Sequence, residues 1–258
     1  VSFQKIAKNL EDYLRYEQEE GRLTVEVSGS QAGVPPGSPA VKGVSCSPVP
    51  LSTSFPSPAA EIDATADPAS RRLADIAARV AACKLCSLHR ERTRTVPGQG
   101  NSTPDIMFVG EGPGADEDRQ GLAFVGRAGQ LLTRMIEAMG YAREQVFIGN
   151  IVKCRPPENR TPMPDEMDAC LPFLKEQIAI LHPKVVVALG ATAVRGLLNV
   201  SAGIMKLRGN WMLFEGIDVM PTLHPAYLLR NPPAKKEAWE DLKAVLRRLG
   251  REPPVRAQ

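Results

Sequence analysis

Residues 105–129 read DIMFVGEGPGADEDRQGLAFVGRAG. The apolar run Ile106-Met107-Phe108-Val109 predicts a buried strand. It breaks into Gly110-Glu111-Gly112-Pro113-Gly114, a set of turns where a ligand can come close to the main chain. Three acids follow, Asp116, Glu117 and Asp118, then a lone aromatic, Phe124, bracketed by Gly121 and Gly126. A helix is expected from about Arg127. A strand that ends in a glycine loop ahead of a helix marks the ligand edge of an open α/β sheet.

The sequence downstream repeats that alternation. Leu131, Leu132, Met135, Ile136 and Met139 mark a helix that Gly140 stops. Val146 to Val152 reads as a second strand, and residues 165–181 as a helix opened by Pro164 with acids in its first turn. Lys184 to Gly190 (KVVVALG) is a third strand, of the continuously apolar kind found in parallel sheets. A helix over Ala191–Leu198 follows, then strands at Trp211–Phe214 and Ile217–Pro221, and a basic closing helix over Ala234–Leu249. Strand and helix alternate throughout, which predicts a parallel sheet with helices on both faces.

Upstream, Leu73, Ile76, Ala77 and Val80 fit a helix running into Cys83, so the folded body is expected over 71–250, with 251–258 a tail. Residues 29–70 are rich in Pro, Ser, Ala and Gly, a composition that buries too little surface to offset ordering, and read as a disordered linker carrying Cys46. Residues 1–28 hold a short amphipathic helix around Phe3, Ile6, Leu10 and Leu14. A solvated helix is the simpler reading of it, and a docking segment for a replication or repair protein the sharper one.

Residues 1–70 carry 5 basic and 9 acidic side chains and the remainder 27 and 20, so the basic body suits a polyanionic partner. No apolar run is long enough to span a membrane, and Glu11 and Asp12 interrupt the N-terminus before any apolar leader core. A cytoplasmic protein is expected. In that compartment cysteines point to metal or redox chemistry, not disulfides.

Cys83 and Cys86 form a CxxC, Cys154 follows after 67 residues and Cys170 after 15 more. Four thiolates suit zinc or an iron–sulfur cluster. A zinc ribbon has two close pairs, and the split second pair here favours a 4Fe–4S cluster over zinc or four ordinary buried thiols. Gly110, Gly112 and Ala115 match a dinucleotide fingerprint, but Pro113 and the acids Asp116–Asp118 sit where a pyrophosphate needs N–H groups and positive charge. A neutral heterocycle, or a water held by carboxylates, fits better. Asn150 ends a strand with an amide that offers a donor and an acceptor together. The segment Leu223–Pro232 (LHPAYLLRNP) places His224 at a strand end, then a Leu pair expected to be exposed, then Arg230. Such a His can stabilise charge on a leaving group, and such a Leu can wedge a base stack.

The CxxC, GEGPG with Phe124-Val125-Gly126, GNIVKCRPP with Asn159-Arg160-Thr161-Pro162, and HPAYLLRNP occur in register from about Leu73 to Leu249. Together they resemble family 4, the iron–sulfur type, of the uracil-DNA glycosylases. That resemblance implies a three-layer α/β/α sandwich around a mostly parallel sheet, and hydrolysis of the N-glycosidic bond of uracil in DNA after base flipping. It implies further that Phe124 stacks on uracil, Asn150 pairs with N3–H and O4, and His224 stabilises the departing anion. Leu228 would fill the vacated stack and Arg230 would lie near phosphate. Cys83, Cys86, Cys154 and Cys170 would hold the 4Fe–4S cluster, which the resemblance leaves in a structural role. The enzyme is expected to act as a monomer on single- or double-stranded DNA.

Two departures from the wider superfamily stand out. Gly112, in the substrate site, occupies the position of a water-orienting aspartate, leaving Glu111, Glu117 and Asn159 as candidates to hold water. Gly114 replaces a tyrosine that excludes the thymine methyl, leaving that task to the acidic run. The segment after Cys154 lacks the inserted basic loop with a His that traps uracil-DNA covalently in a related variant, so turnover is expected. Two other classes compete: an inactive iron–sulfur DNA-binding module linked to a polymerase, and a metabolic nucleotide-binding enzyme.

Overall fold

The structure is a computed structural model and describes residues 67–253. The expectations for residues 1–28, for the linker up to residue 66 and its Cys46, and for the last five residues lie outside them.

Helix α1 (Pro68–Ala82) begins three residues before the expected boundary. Asp67 caps it by accepting from the N–H groups of Ala69 and Ser70, and Pro68 supplies the preset φ of a first turn. The strands are β1 (Gln99–Gly100), β2 (Ile106–Gly110), β3 (Phe147–Asn150), β4 (Val185–Leu189), β5 (Met212–Phe214) and β6 (Ile217–Thr222). Their order is β1-β3-β2-β4-β6-β5. The four inner strands are parallel, whereas β1 and β5 run antiparallel at the two edges, so the sheet is mixed and not wholly parallel. Strand β1 is two residues long, too short for any periodicity to reveal.

Alternate residues of the inner strands, Ile106 and Phe108, Val185 and Val187, share one core with Leu132 and Ile136 of helix α3 (Arg127–Ala138) and with Leu242, Val245 and Leu246 of the closing helix (Lys235–Arg248). Met107, Val109, Val186 and Ala188 point to the other face and are buried as well. There lies helix α4 (Pro164–Leu181), whose outer side packs on α1 through Ile76, Val80 and Ile180. Helices on both faces complete a three-layer α/β/α sandwich.

After β2 the chain moves to β3 on one side, and later to β4 on the other. The carboxyl end of β2 is therefore a topological switch point, where open α/β sheets bind ligands. Among the described residues no helix is long and apolar enough to cross a membrane.

Candidate active site

The parallel register sets Gly110 beside Asn150 at the ends of β2 and β3. A Cβ on Gly110 would stand 2.5 Å from both Asn150 Oδ1 and Phe124 Cζ, so only glycine leaves the two side chains room to converge there. Asn150 is 1% exposed, and neither its Oδ1 nor its Nδ2 has a hydrogen-bond partner. A buried amide left unpaired costs about 1–3 kcal/mol, which marks it as waiting for a ligand's own donor and acceptor.

Phe124 sits in the left-handed region at φ 52°, an uncommon conformation for a bulky side chain and a form of strain that clusters at functional sites. Its ring centroid lies 5.8 Å from that of His224, with the planes tilted by 37°. His224 caps helix α7 (Pro225–Arg230) by accepting the Ala226 N–H on Nδ1 at 3.1 Å, which puts the ring proton on Nε2. Gly190, at φ 86°, ends β4 against it, where an added Cβ would stand 3.0 Å from the His224 Cβ. Phe124, Asn150 and His224 thus converge from three separate segments at the carboxyl edge of the sheet.

The acids occupy different positions from those expected. Residues 115–120 form a short helix α2 (Ala115–Gln120) where a ligand-facing loop was expected. Its Glu117 takes the N–H of Gly114 on Oε2, and those of Val125 and Gly126 on Oε1 at 2.9 Å each. Asp118 is buried and accepts from the Thr93 and Arg94 backbone, while Asp116 pairs with Arg119. The run pins the loop that carries Phe124. Glu117 also fills the space of a side chain at 114, its Oε2 lying 2.8 Å from where a Gly114 Cβ would be. The corresponding space at Gly112 is taken by Val152 Cγ2, 2.7 Å from a Cβ there, so this backbone has no room for an aspartate at that position.

Glu111, half-buried at the end of β2, accepts from Thr192 Oγ1 at 2.6 Å. Asn159 lies on an exposed turn, at φ 56°, and its Oδ1 accepts from Arg155 Nε at 2.7 Å. The Leu pair expected to be exposed is not: Leu228 is 1% exposed, and Leu229 is half-buried. A helix turns about 100° per residue. On α7 that rotation carries Leu228 inward, against the side packed on α3, while Arg230 is exposed at the end.

Cys83, Cys86, Cys154 and Cys170 line one small, partly open hollow between α1, α4 and the loop after β3. Arg92 Nη1 donates to Cys154 Sγ at 3.1 Å and the Lys153 N–H to Cys170 Sγ at 3.3 Å, the N–H···S contacts that anionic sulfur attracts. Burial pushes the Cys86 and Cys154 thiols up, and Cys170 to about 11, so thiolates here need a cation to hold them. Among the described residues no three His, Cys, Asp or Glu side chains converge as one ion would need. Four thiols lining one hollow supply the donors of a metal centre, whether zinc or an iron–sulfur cluster.

Three supporting residues escaped the sequence reading. Lys153 is 1% exposed, drawn down to about 8 by burial, and donates to the Asn150 carbonyl at 2.9 Å and Gln177 Oε1 at 2.7 Å. Glu166, also buried, takes a two-pronged contact from Arg160 and further bonds from Ser87 and the Met163 N–H, tying the NRTP loop to the CxxC segment. Arg143 reaches the Ala123 carbonyl. A lysine inside an apolar strand ending (IVKC) was the one sequence signal among them.

Comparison with known proteins matches residues 97–243 to the family model for the uracil DNA glycosylase superfamily. The chain is 52% identical to a type-4 uracil-DNA glycosylase of Thermotoga maritima over 60% of this chain and 82% of that protein. It is 47% identical to the type-4 uracil-DNA glycosylase of Sulfurisphaera tokodaii over 67% of this chain and 83% of that protein. A more distant match, 30% identical, covers 62% of this chain but 17% of a DNA polymerase of Bacillus phage SP01. The chain belongs to the uracil-DNA glycosylase superfamily and, within it, to the type-4 uracil-DNA glycosylases.

Proposed function

We propose that this protein removes uracil from DNA by hydrolysing its N-glycosidic bond, opening base excision repair. The buried, unpaired amide of Asn150 beside the Phe124 ring carries this reading. A base inside a duplex cannot reach such a pocket and must be flipped out first. Phe124 then stacks on uracil, Asn150 Nδ2 donates to O4, and Oδ1 accepts N3–H. Cytosine offers an amine at position 4 and a bare N3, so both contacts become mismatches and the buried amide stays unpaired.

As the C1′–N1 bond breaks, its electron pair leaves with the uracil ring, and His224 Nε2–H supports the charge at O2. The sugar, oxocarbenium-like, takes the oxygen of water and releases a proton, giving an abasic site. Glu111, Glu117 and Asn159 stay the candidates to hold that water; each already accepts a hydrogen bond, Glu111 from Thr192, Glu117 from loop amides and Asn159 from Arg155. Leu229, half-buried where Leu228 is buried, is better placed than Leu228 to fill the stack. Cys83, Cys86, Cys154 and Cys170 would hold a 4Fe–4S cluster, which when bound supplies iron–thiolate bonds that tie α1, α4 and the loop after β3 together. Such thiolates and a DNA substrate both suit a reducing cytoplasm.

The test is strand scission by alkali after incubation with an oligonucleotide containing one uracil. Cleavage that requires both uracil and Asn150 supports the proposal. Tight DNA binding without cleavage, by protein carrying its iron, would favour the inactive polymerase-linked module instead.

A further inference from the structure

Phe124 is a strained residue at a working position, and something must hold it there. Its backbone presses on helix α3 at Gly129, where any Cβ would collide with the Phe124 carbonyl carbon and oxygen. After it in sequence, the Val125 and Gly126 N–H groups are gripped by Glu117. Before it, the Ala123 carbonyl accepts from Arg143 Nη2 at 2.6 Å. Arg143 comes from the turn between α3 and β3, well outside the loop. Its Nη1 donates to Thr133 Oγ1 at 2.9 Å, and Thr133 in turn donates to the Gly129 carbonyl at 3.1 Å. One guanidinium fork therefore spans the loop and the helix turn on which Phe124 rests, and its planar, two-pronged geometry fixes their separation.

We propose that Arg143 is a positioning residue for excision: by clasping Ala123 and Thr133 it keeps the Phe124 ring in the plane on which the flipped base stacks. This rests on the reading of Phe124 as the stacking residue. Arg143 touches no reacting atom and acts through Phe124 alone. Displacing a substrate-positioning group by a fraction of an ångström to one ångström costs about 10–100-fold in rate.

The test is a double-mutant cycle in the full-length protein with its metal in place, read by single-turnover excision on a uracil oligonucleotide. Arg143→Met keeps the aliphatic length and removes both donors. It is expected to lower the single-turnover rate by about 10–100-fold in the wild-type background and by less than about twofold in a Phe124→Ala background, as coupled sites require. Thr133→Val removes one of the two anchors without changing side-chain volume. It should show a smaller loss that also vanishes with Phe124→Ala, and it stands in if Arg143→Met does not fold. A loss of equal size in both backgrounds, or none from either variant while Phe124→Ala is impaired, overturns the proposal and leaves the stacking reading standing. An unimpaired Phe124→Ala overturns the stacking reading, and the proposal with it.

Discussion

Replacing Asn150 by alanine should separate stability from activity. The folded protein buries both polar atoms of that amide without a partner, at a cost of about 1–3 kcal/mol that alanine removes. The side chain is sealed against Phe124 at the strand ends, so its loss also leaves a small cavity that offsets part of that gain. The net expectation is a stability gain of about 1 kcal/mol, or a rise in Tm of about 2–4 °C for a domain of this size. Activity should move the other way. A preorganised donor aimed at a transition state is worth about 2.7–4 kcal/mol, so excision should fall by at least about 100-fold. Differential scanning calorimetry and single-turnover excision on the same preparation give both numbers. A drop in Tm of several degrees would refute the reasoning, because it would mean that the amide is satisfied in the free protein and holds structure together.

Gly110→Ala puts a methyl where Asn150 and Phe124 converge, and should cost excision more than about 100-fold and stability about 1–3 kcal/mol, as overpacking does. Leu228→Ala should destabilise by about 2–4 kcal/mol, as for a core leucine, whereas Leu229→Ala should spare Tm and weaken excision from duplex DNA more than from single strands. For Glu166, burial raises the carboxyl pKa, but Arg160, the Met163 N–H and Ser87 together outweigh it and leave the group below its ordinary 4.5. A depressed carboxylate stabilises the fold above its unfolded pKa and loses that contribution as pH falls through the folded value. The wild type should therefore lose Tm below pH 4.5 more steeply than Glu166→Gln, and parallel curves would contradict this. Metal analysis of the protein purified without oxygen should find about four irons per chain, and Cys170→Ser should lose iron and visible absorbance together. Zinc in their place would contradict the cluster.

The parts of the fold most legible in the sequence were those whose signals are local. The apolar strands, the glycine turn after β2 and Pro164 at the start of α4 each follow from a few neighbouring residues. The CxxC and the two distant cysteines pointed to one place in the fold, and the four thiols do line one hollow. What stayed hidden depends on three-dimensional direction. The acids 116–118 read as ligand-facing because their partners, the amides of residues 93, 125 and 126, lie outside any local window. Leu228 reads as exposed from its polar surroundings, yet the helical rotation of α7 turns it inward. The left-handed φ of Phe124 is invisible in a sequence where glycines on either side look like the natural candidates. Arg143 is a surface-type residue 19 positions from the aromatic ring it steadies, and nothing but the fold brings them together.

The most direct measurement is the identity of the product. Single-turnover incubation with oligonucleotides identical except for one uracil, thymine or cytosine, followed by chromatography of the released material, tests recognition and bond cleavage at once. The account predicts free uracil and an abasic strand from the uracil substrate alone, with release all but lost in Asn150→Ala. Release of cytosine or thymine at a comparable rate, or no free base from iron-loaded protein that binds the strand, would contradict it.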